Sequence, residues 1–235
     1  MALSSSITPS ETTLPDKPEV VLVTGGTFTM GNSVDEDATP HDVTLSSYSI
    51  GKYPVTVGQY KKYCTATGIS MPDEPNWGWN DKQPIVKVNY NDAVAYCNWL
   101  GEQYGGDWSL PSEAQWEFAA RGGNKSQNFN YSGSNDLDEV GCYADSKTQN
   151  VGRKKANELA IFDMCGNMWE WCKDWYGEYS SATQINPKGA ASGAYRVMRG
   201  GSWEYSAAYC RVSYRFFNGP SNRDNDVGFR VVVSK

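Results

Sequence analysis

One histidine, His41, serves a chain of 235 residues. That shortage removes three-histidine zinc sites, two-histidine facial iron sites and H-E-x-x-H proteases, which all need more imidazoles. His41 lies in Thr39-Pro40-His41-Asp42, outside any nucleophile motif, and reads as a loop or strand-edge residue. No G-x-x-x-x-G-K-[ST] and no strand-borne G-x-G-x-x-G occurs, so nucleotide chemistry has no handle. Neither a nucleotide nor haem is expected. No apolar run approaches the ~18 residues a membrane-spanning helix needs; the longest, Val20–Val23 and Val231–Val233, have strand length. None of the six cysteines forms a C-x-x-C pair, which excludes zinc ribbons and thioredoxin-like redox sites. Two states stay open for them, buried free thiols or disulfides in an exported protein. Basic residues are outnumbered 21 to 27, for a net charge of -6. An acidic chain gains little from counterion release, so nucleic acid is not an expected partner. The one basic cluster, Arg153-Lys154-Lys155, reads as a solvated loop.

Aromatics and turn formers are plentiful, with Trp 9, Tyr 15, Phe 7, Gly 23 and Pro 11, which suits a loop-rich globular body. Residues 1–18 are Ser/Thr/Pro-rich and read as a flexible leader or tether. The body, 19–235, reads as one domain. Val20–Val23, Thr27–Met30 and Val43–Ile50 have the length and punctuation of strands. Apolar spacing predicts helices over Val57–Thr67 and Asp92–Tyr104, the second capped by Asn89 or Asn91. Ser112 and Gln115 form a capping box for a third helix, which stops at Arg121-Gly122-Gly123. Residues 123–160 and 176–195 read as long loops, a feature that tends to be functional. Strand-like text returns at Tyr195–Arg199, Tyr209–Tyr214 and Val227–Val233. Strands, helices, loops and strands without a βαβ rhythm predict an α+β fold with antiparallel pairing.

Several stretches in this order resemble one family. They are Gly25–Gly31, Tyr53–Thr56, Pro84–Leu100, Leu110–Arg121, Gly166–Trp171, Arg199–Trp203 and Gly228–Arg230. Together they are similar to the formylglycine-generating-enzyme (sulfatase-modifying factor) domain, which implies a C-type lectin-like fold with little secondary structure and long ordered loops. Oxidases of that family use two cysteines near the C-terminus. Cys210 matches the second, and Tyr205 stands at the first. A thiolate pair can hold copper(I) where one thiol cannot, so a non-catalytic protein is expected, with oxidation through Cys210 as the alternative. The resemblance also implies calcium around Asp163–Glu170, with carboxylates from Asp163 and Glu170 and carbonyls from Gly166 and Met168.

Residues 205–226 are odd in composition. Lys, Gln, Glu, Met and Trp make up 47 of 235 residues in the chain and none of these 22. Those five amino acids are the ones that codons ending in a pyrimidine cannot encode. A segment built by randomising the adenines of AAY codons lacks all five and never gains a stop. The stretch resembles the variable proteins of diversity-generating retroelements, treponemal ones among them. That implies a receptor- or adhesin-like protein at the cell surface or outer membrane, lipid-anchored through an N-terminal export segment. A monomer is expected, with an unidentified protein or cell-surface ligand as partner. The variable region then spans about 203–226. Its aromatic anchors are Trp203, Tyr205, Tyr209, Tyr214, Phe216 and Phe217, since large amphipathic rings bind at low entropic cost. Adaptable polar contacts come from Ser206, Ser213, Asn218, Ser221, Asn222, Asp224, Asn225 and Asp226. Ala208 and Gly219 are positions where a small residue fell. Cys210, Arg211, Val212 and Arg215 read as scaffold.

Overall fold

A computed structural model describes residues 17–234, so the leader expected over 1–18 lies, up to residue 16, outside the described residues. Four short strands come first: β1 (Val20–Val23), β2 (Gly26–Met30), β3 (His41–Leu45) and β4 (Tyr48–Gly51). Helices α1 (Val57–Thr67) and α2 (Tyr90–Tyr104) follow, then strand β5 (Asp107–Ser109), helix α3 (Glu113–Ala120) and a four-residue helix α4 (Leu137–Val140). The chain ends with β6 (Trp169–Trp175), β7 (Gln184–Ile185), β8 (Arg196–Arg199), β9 (Arg215–Asn218), β10 (Val227–Gly228) and β11 (Val232–Ser234).

Each long helix starts where a side chain can close its first turn. Thr56 with Gln59, Asn89 with Asp92 and Ser112 with Gln115 form reciprocal capping boxes, satisfying donors that a helix start leaves open. Of the two asparagines the sequence offers for α2, Asn89 is the cap.

The strands form three small sheets, ordered β1-β4-β11-β5, β10-β6-β8-β9 and β2-β3-β7. Pairing is antiparallel as expected except at β10 with β6 and β3 with β7. The stretch Val43–Ile50 is two strands, not one. At Ser46-Ser47 the chain leaves the ladder: Ser46 N–H donates to Asn186 Oδ1, and Ser47 Oγ accepts from Gly25 N–H. β4 then pairs with β1 in another sheet. The strand expected over Tyr209–Tyr214 is absent. Ala207–Cys210 is a 3-10 turn, and the Val212 and Ser213 carbonyls accept from the Arg199 side chain instead of a neighbouring strand. The Val227–Val233 stretch is likewise split into β10 and β11, and between them the Phe229 and Val231 carbonyls accept from Val55 and Gly51 N–H. β6 carries no sequence signal, since its first four residues are all buried and the alternation of a half-exposed strand is missing.

One buried ionic lattice ties helix to sheet. Glu113 and Glu117 of α3 and Arg199 and Arg215 of β8 and β9 are all buried. Arg215 Nε and Nη2 donate to Glu113 Oε1 and Oε2 at 2.7 and 3.0 Å; Arg199 bridges Glu113 at 3.2 Å and Glu117. Two guanidiniums beside two carboxylates replace the lost water, which a single buried charge could not manage. The lattice holds β8 and β9, and with them both ends of the segment that follows β8, against the core.

A candidate binding surface around Trp169

Trp169 opens β6 and is 1% exposed. Its backbone N–H donates to the Asp226 carbonyl at 2.8 Å, which sets the parallel register of β10. Rings from the 205–216 stretch pack over it. Phe216 stacks on Trp169 at 5.0 Å and 24°, Tyr205 meets it edge-on at 5.5 Å, and Tyr214 lies at 6.2 Å. Tyr209 joins Tyr205 and Tyr214, each at 5.0 Å. These four outer rings are half-buried, with one side packed and one side open. Pairs at such offsets gain about 0.5–1.5 kcal/mol beyond their burial, so the rings are held in place before any ligand arrives.

The polar arm runs from Asn218 to Asp226. Lys87 N–H donates to the Asp224 carbonyl at 3.0 Å and Tyr90 N–H to the Pro220 carbonyl at 3.1 Å, pinning the loop backbone to the start of α2. Arg223 Nη2 donates to Asp92 Oδ1 at 2.9 Å. With the backbone anchored, Ser221, Asn222 and Asp224 present their side chains to solvent, and Asn218 Nδ2 donates to Asp224 Oδ2 at 2.6 Å. Between this arm and the rings lies an open cleft of about 330 Å³, lined by Trp169, Tyr205 and Phe216 on one side and Asn218, Asp224 and Asn225 on the other.

Tyr205, Ser206, Ala208, Tyr209, Tyr214, Phe216, Phe217, Asn218, Gly219, Ser221, Asn222, Asp224 and Asn225 are exposed or half-buried. Three nominated residues are not surface contacts. Trp203 is buried under the edge of Trp77 at 5.5 Å, and its carbonyl accepts from Asp145 N–H at 2.7 Å. Ser213 is buried, its carbonyl facing the Arg199 guanidinium. Asp226 is 6% exposed and accepts from Ser202 Oγ at 2.8 Å; burial pushes its carboxyl up to about 6. Phe217 is at the surface but on the far face of β9, against Tyr176 at 4.4 Å and Tyr195 at 4.9 Å, because strand side chains alternate. Five residues around the site lay outside the sequence nomination, the scaffold residues Met198 and Val227 among them. Trp169 sat in a family stretch, Glu204 borders the cleft one residue before the biased window, and Trp77 in a distant loop gave no signal.

All six cysteines are free and buried. Cys210 is fully buried with its Sγ 3.9 Å from the Ser206 carbonyl, and burial pushes the thiol up to about 12. A thiol held protonated is a poor nucleophile and a poor copper ligand. Gly201, at a φ of +76°, shields it: a Cβ there would lie 2.7 Å from the sulfur. Around Asp163, the Glu170 carboxylate receives Arg230 Nε and Nη2, each at 2.6 Å, and Trp116 Nε1 at 2.6 Å. Asp163 Oδ2 accepts from Gly152 N–H at 2.7 Å, and the Gly166 carbonyl accepts from Met168 N–H at 2.9 Å. The Glu170 carboxylate is committed to a guanidinium and an indole, so as placed it does not offer calcium an open carboxylate.

Residues 5–235 match the sulfatase-modifying factor enzyme 1-like domain. The chain belongs to that family. Proteins with quite different names are similar to it in sequence or in structure. The chain is 32% identical to the chaperone protein LppX of Paenibacillus barcinonensis over 99% of this chain and 95% of that one. It is 29% identical to the formylglycine-generating enzyme of Thermomonospora curvata, covering 91% of this chain and 93% of that protein. Its structure superposes on Treponema denticola variable protein 1 with a TM-score of 0.82 at 28% identity, covering 92% of this chain and 95% of that one. A sulfatase-modifying-factor-like domain therefore does not by itself specify an activity, and the site has to carry the argument.

Proposed function

We propose that this chain is a non-catalytic ligand-binding protein, displayed as a monomer at the cell surface, whose C-terminal surface is diversified by a retroelement. One observation carries the reading. The compositionally biased segment folds so that Tyr205, Tyr209, Tyr214, Phe216, Asn218 and Asp224 converge on one open face, while Cys210, Val212 and Arg215 of the same segment turn into the core. Randomisation confined to the outward set leaves the fold intact, which is what a diversified receptor needs. Rings interspersed with Ser and Asn are also the side chains that paratopes favour. The structural likeness to a variable protein of Treponema denticola supports the same reading.

The rival is an oxidase of formylglycine-generating type acting through Cys210, favoured by the likeness to the Thermomonospora curvata enzyme. Against it stand the burial of the Cys210 thiol and the presence of Tyr205 where the family resemblance implies the partner cysteine. The deciding experiment is genomic. A near-identical template copy of codons 205–226 is expected beside the gene, with adenines at the outward-facing codons and a reverse transcriptase nearby. Its absence, together with turnover of a cysteine-containing sulfatase peptide with copper and oxygen, would hand the case to the oxidase. Extraction of the native protein into the membrane fraction, and its accessibility to protease on whole cells, test the surface placement.

A further inference from the structure

The cleft beside Trp169 has a charge character of its own. Glu204 and Asp224 border it with exposed side chains, Asp226 contributes a buried carboxyl held by Ser202 Oγ, and no Lys, Arg or His lines it. Among the described residues none of the three carboxylates forms an ion pair, and Arg223, the basic residue of the same loop, is committed to Asp92. The opposite wall is aromatic, with Trp169, Tyr205 and Phe216 as neighbours. Trp169 also keeps a buried Nε1–H without a hydrogen-bond partner, although it is 1% exposed and lines the cleft. A buried indole N–H without an acceptor is costly, so it is an observation independent of the acids.

Carboxylates facing ring faces make a cage for an organic cation, because the ring quadrupole and the acids attract the same charge. Resting on the binding reading above, we propose that in this variant the cleft takes a lysine or arginine side chain presented by a protein partner. The unpaired indole N–H asks for an acceptor close to the cation, which a residue in a peptide supplies and a simple ammonium ion does not. The cleft is also open and flanked by the half-buried Tyr209 and the exposed Asn222 side chains, surface that a small free amine leaves uncovered. Trp169, Met198 and Val227 belong to the scaffold, whereas Asp224 and Asp226 lie in the biased segment. Trp169 at the floor is thus fixed, whereas Tyr205, Phe216 and Asp224 belong to this particular set of variable residues.

The test uses the whole protein labelled with 15N and the blocked tripeptides Ac-Gly-Lys-Gly-NH2, Ac-Gly-Arg-Gly-NH2 and Ac-Gly-Glu-Gly-NH2, with choline as a fourth probe. The Lys and Arg peptides should shift the Trp169 indole resonance and the amides of residues 204–226, with Kd on the order of millimolar. Affinity should fall as salt rises, and the Glu204→Gln/Asp224→Asn double variant should bind roughly tenfold more weakly with an unchanged Tm. Equal binding of the glutamate peptide, shifts centred elsewhere, or unchanged affinity in the double variant would overturn the proposal. Choline binding as tightly as the lysine peptide would overturn the assignment to a protein side chain. If the template copy is found and the cationic peptides still do not bind, this inference falls while the binding reading stands. If the copy is missing and the peptides bind, the diversified reading falls and the cation site remains.

Discussion

Two aromatic clusters in this molecule have nearly the same ring spacings and opposite fates. Along α1 and α2, Tyr60, Tyr63, Tyr96, Trp99 and Phe229 meet with centroids 5.2 to 6.4 Å apart and are all buried. Around Trp169 the rings of Tyr205, Tyr209, Tyr214 and Phe216 meet at 5.0 to 6.2 Å and are half open to solvent. Burial lifts the Tyr60 and Tyr96 phenols well above the ordinary tyrosine range, so those hydroxyls act as neutral parts of the packing. The difference teaches that ring contacts alone do not distinguish a core from a binding surface. What distinguishes them is whether a second layer covers the rings. The α1–α2 cluster is closed over by Phe229, while the Trp169 cluster has only the polar 218–226 arm beside it.

That contrast breaks if the outer cluster proves to be core. The largest effect expected anywhere is in the buried framework. Trp116→Ala should cost about 3–5 kcal/mol in urea unfolding, losing a full indole and its bond to Glu170. Arg199→Met leaves Glu113 and Glu117 facing each other with one fewer cation and should cost about 3 kcal/mol or more. Phe216→Ala should cost clearly less than either, on the order of 1–2 kcal/mol, because only part of its surface leaves water on folding. A loss at Phe216 equal to that at Trp116 would make the surface an unfinished core.

Titration sharpens the comparison at the next level. Burial raises Asp174 to about 7 and Asp226 to about 6, whereas an unfolded aspartate titrates near 4. Between those values the folded state binds protons that the unfolded state does not, so unfolding becomes harder as pH falls. Stability should therefore rise, on the order of 4 kcal/mol, from pH 8 to pH 5, and be lost again as pH climbs through 6–7. Urea midpoints across that range check the sign. In Asp174→Asn and Asp226→Asn the rise should shrink; a rise unchanged in both would assign it to other groups.

Smaller effects follow on the open face. Against a peptide selected from a random display library on the wild-type protein, Tyr205→Ala or Tyr214→Ala should weaken binding by about 1–2 kcal/mol, read by calorimetry. Cys210→Ser should leave that affinity unchanged. Smallest of all, replacing Ser206, Asn222 or Asn225 with other residues that pyrimidine-ending codons encode should shift stability by less than about 0.5 kcal/mol each. Uniformly larger losses at these three would count against a tolerant display surface.

Local signals carried much of the fold. The helix starts at Thr56, Asn89 and Ser112 are short-range chemistry, with donor and acceptor three residues apart, and a linear reading can see the last two. Strands with one wet face, such as β2, were legible for the same reason. β6 was not, because burial on both faces erases alternation. Nor was the split at Ser46-Ser47, which depends on Asn186, 140 residues away for Ser46. The composition of residues 205–226 marked the segment, yet it could not separate Asp224 from Asp226, two residues apart and identical in type. One faces solvent, while the other is covered by the Ser202 hydroxyl and the Trp169 backbone.

By itself, the sequence determined the α+β class, the family resemblance and the segment whose composition is biased. Each is written in contiguous residues, as caps, turns, motifs or a missing set of amino acids. Only the tertiary structure decided which side chains of that segment face solvent and which turn into the core. Outward or inward direction there is set by partners far along the chain: Glu113 drawing Arg215 inward, Trp169 flooring the ring cluster, and Lys87 and Tyr90 holding the polar arm. Burial is a property of what packs on a residue from elsewhere, and no local pattern in residues 205–226 encodes those neighbours.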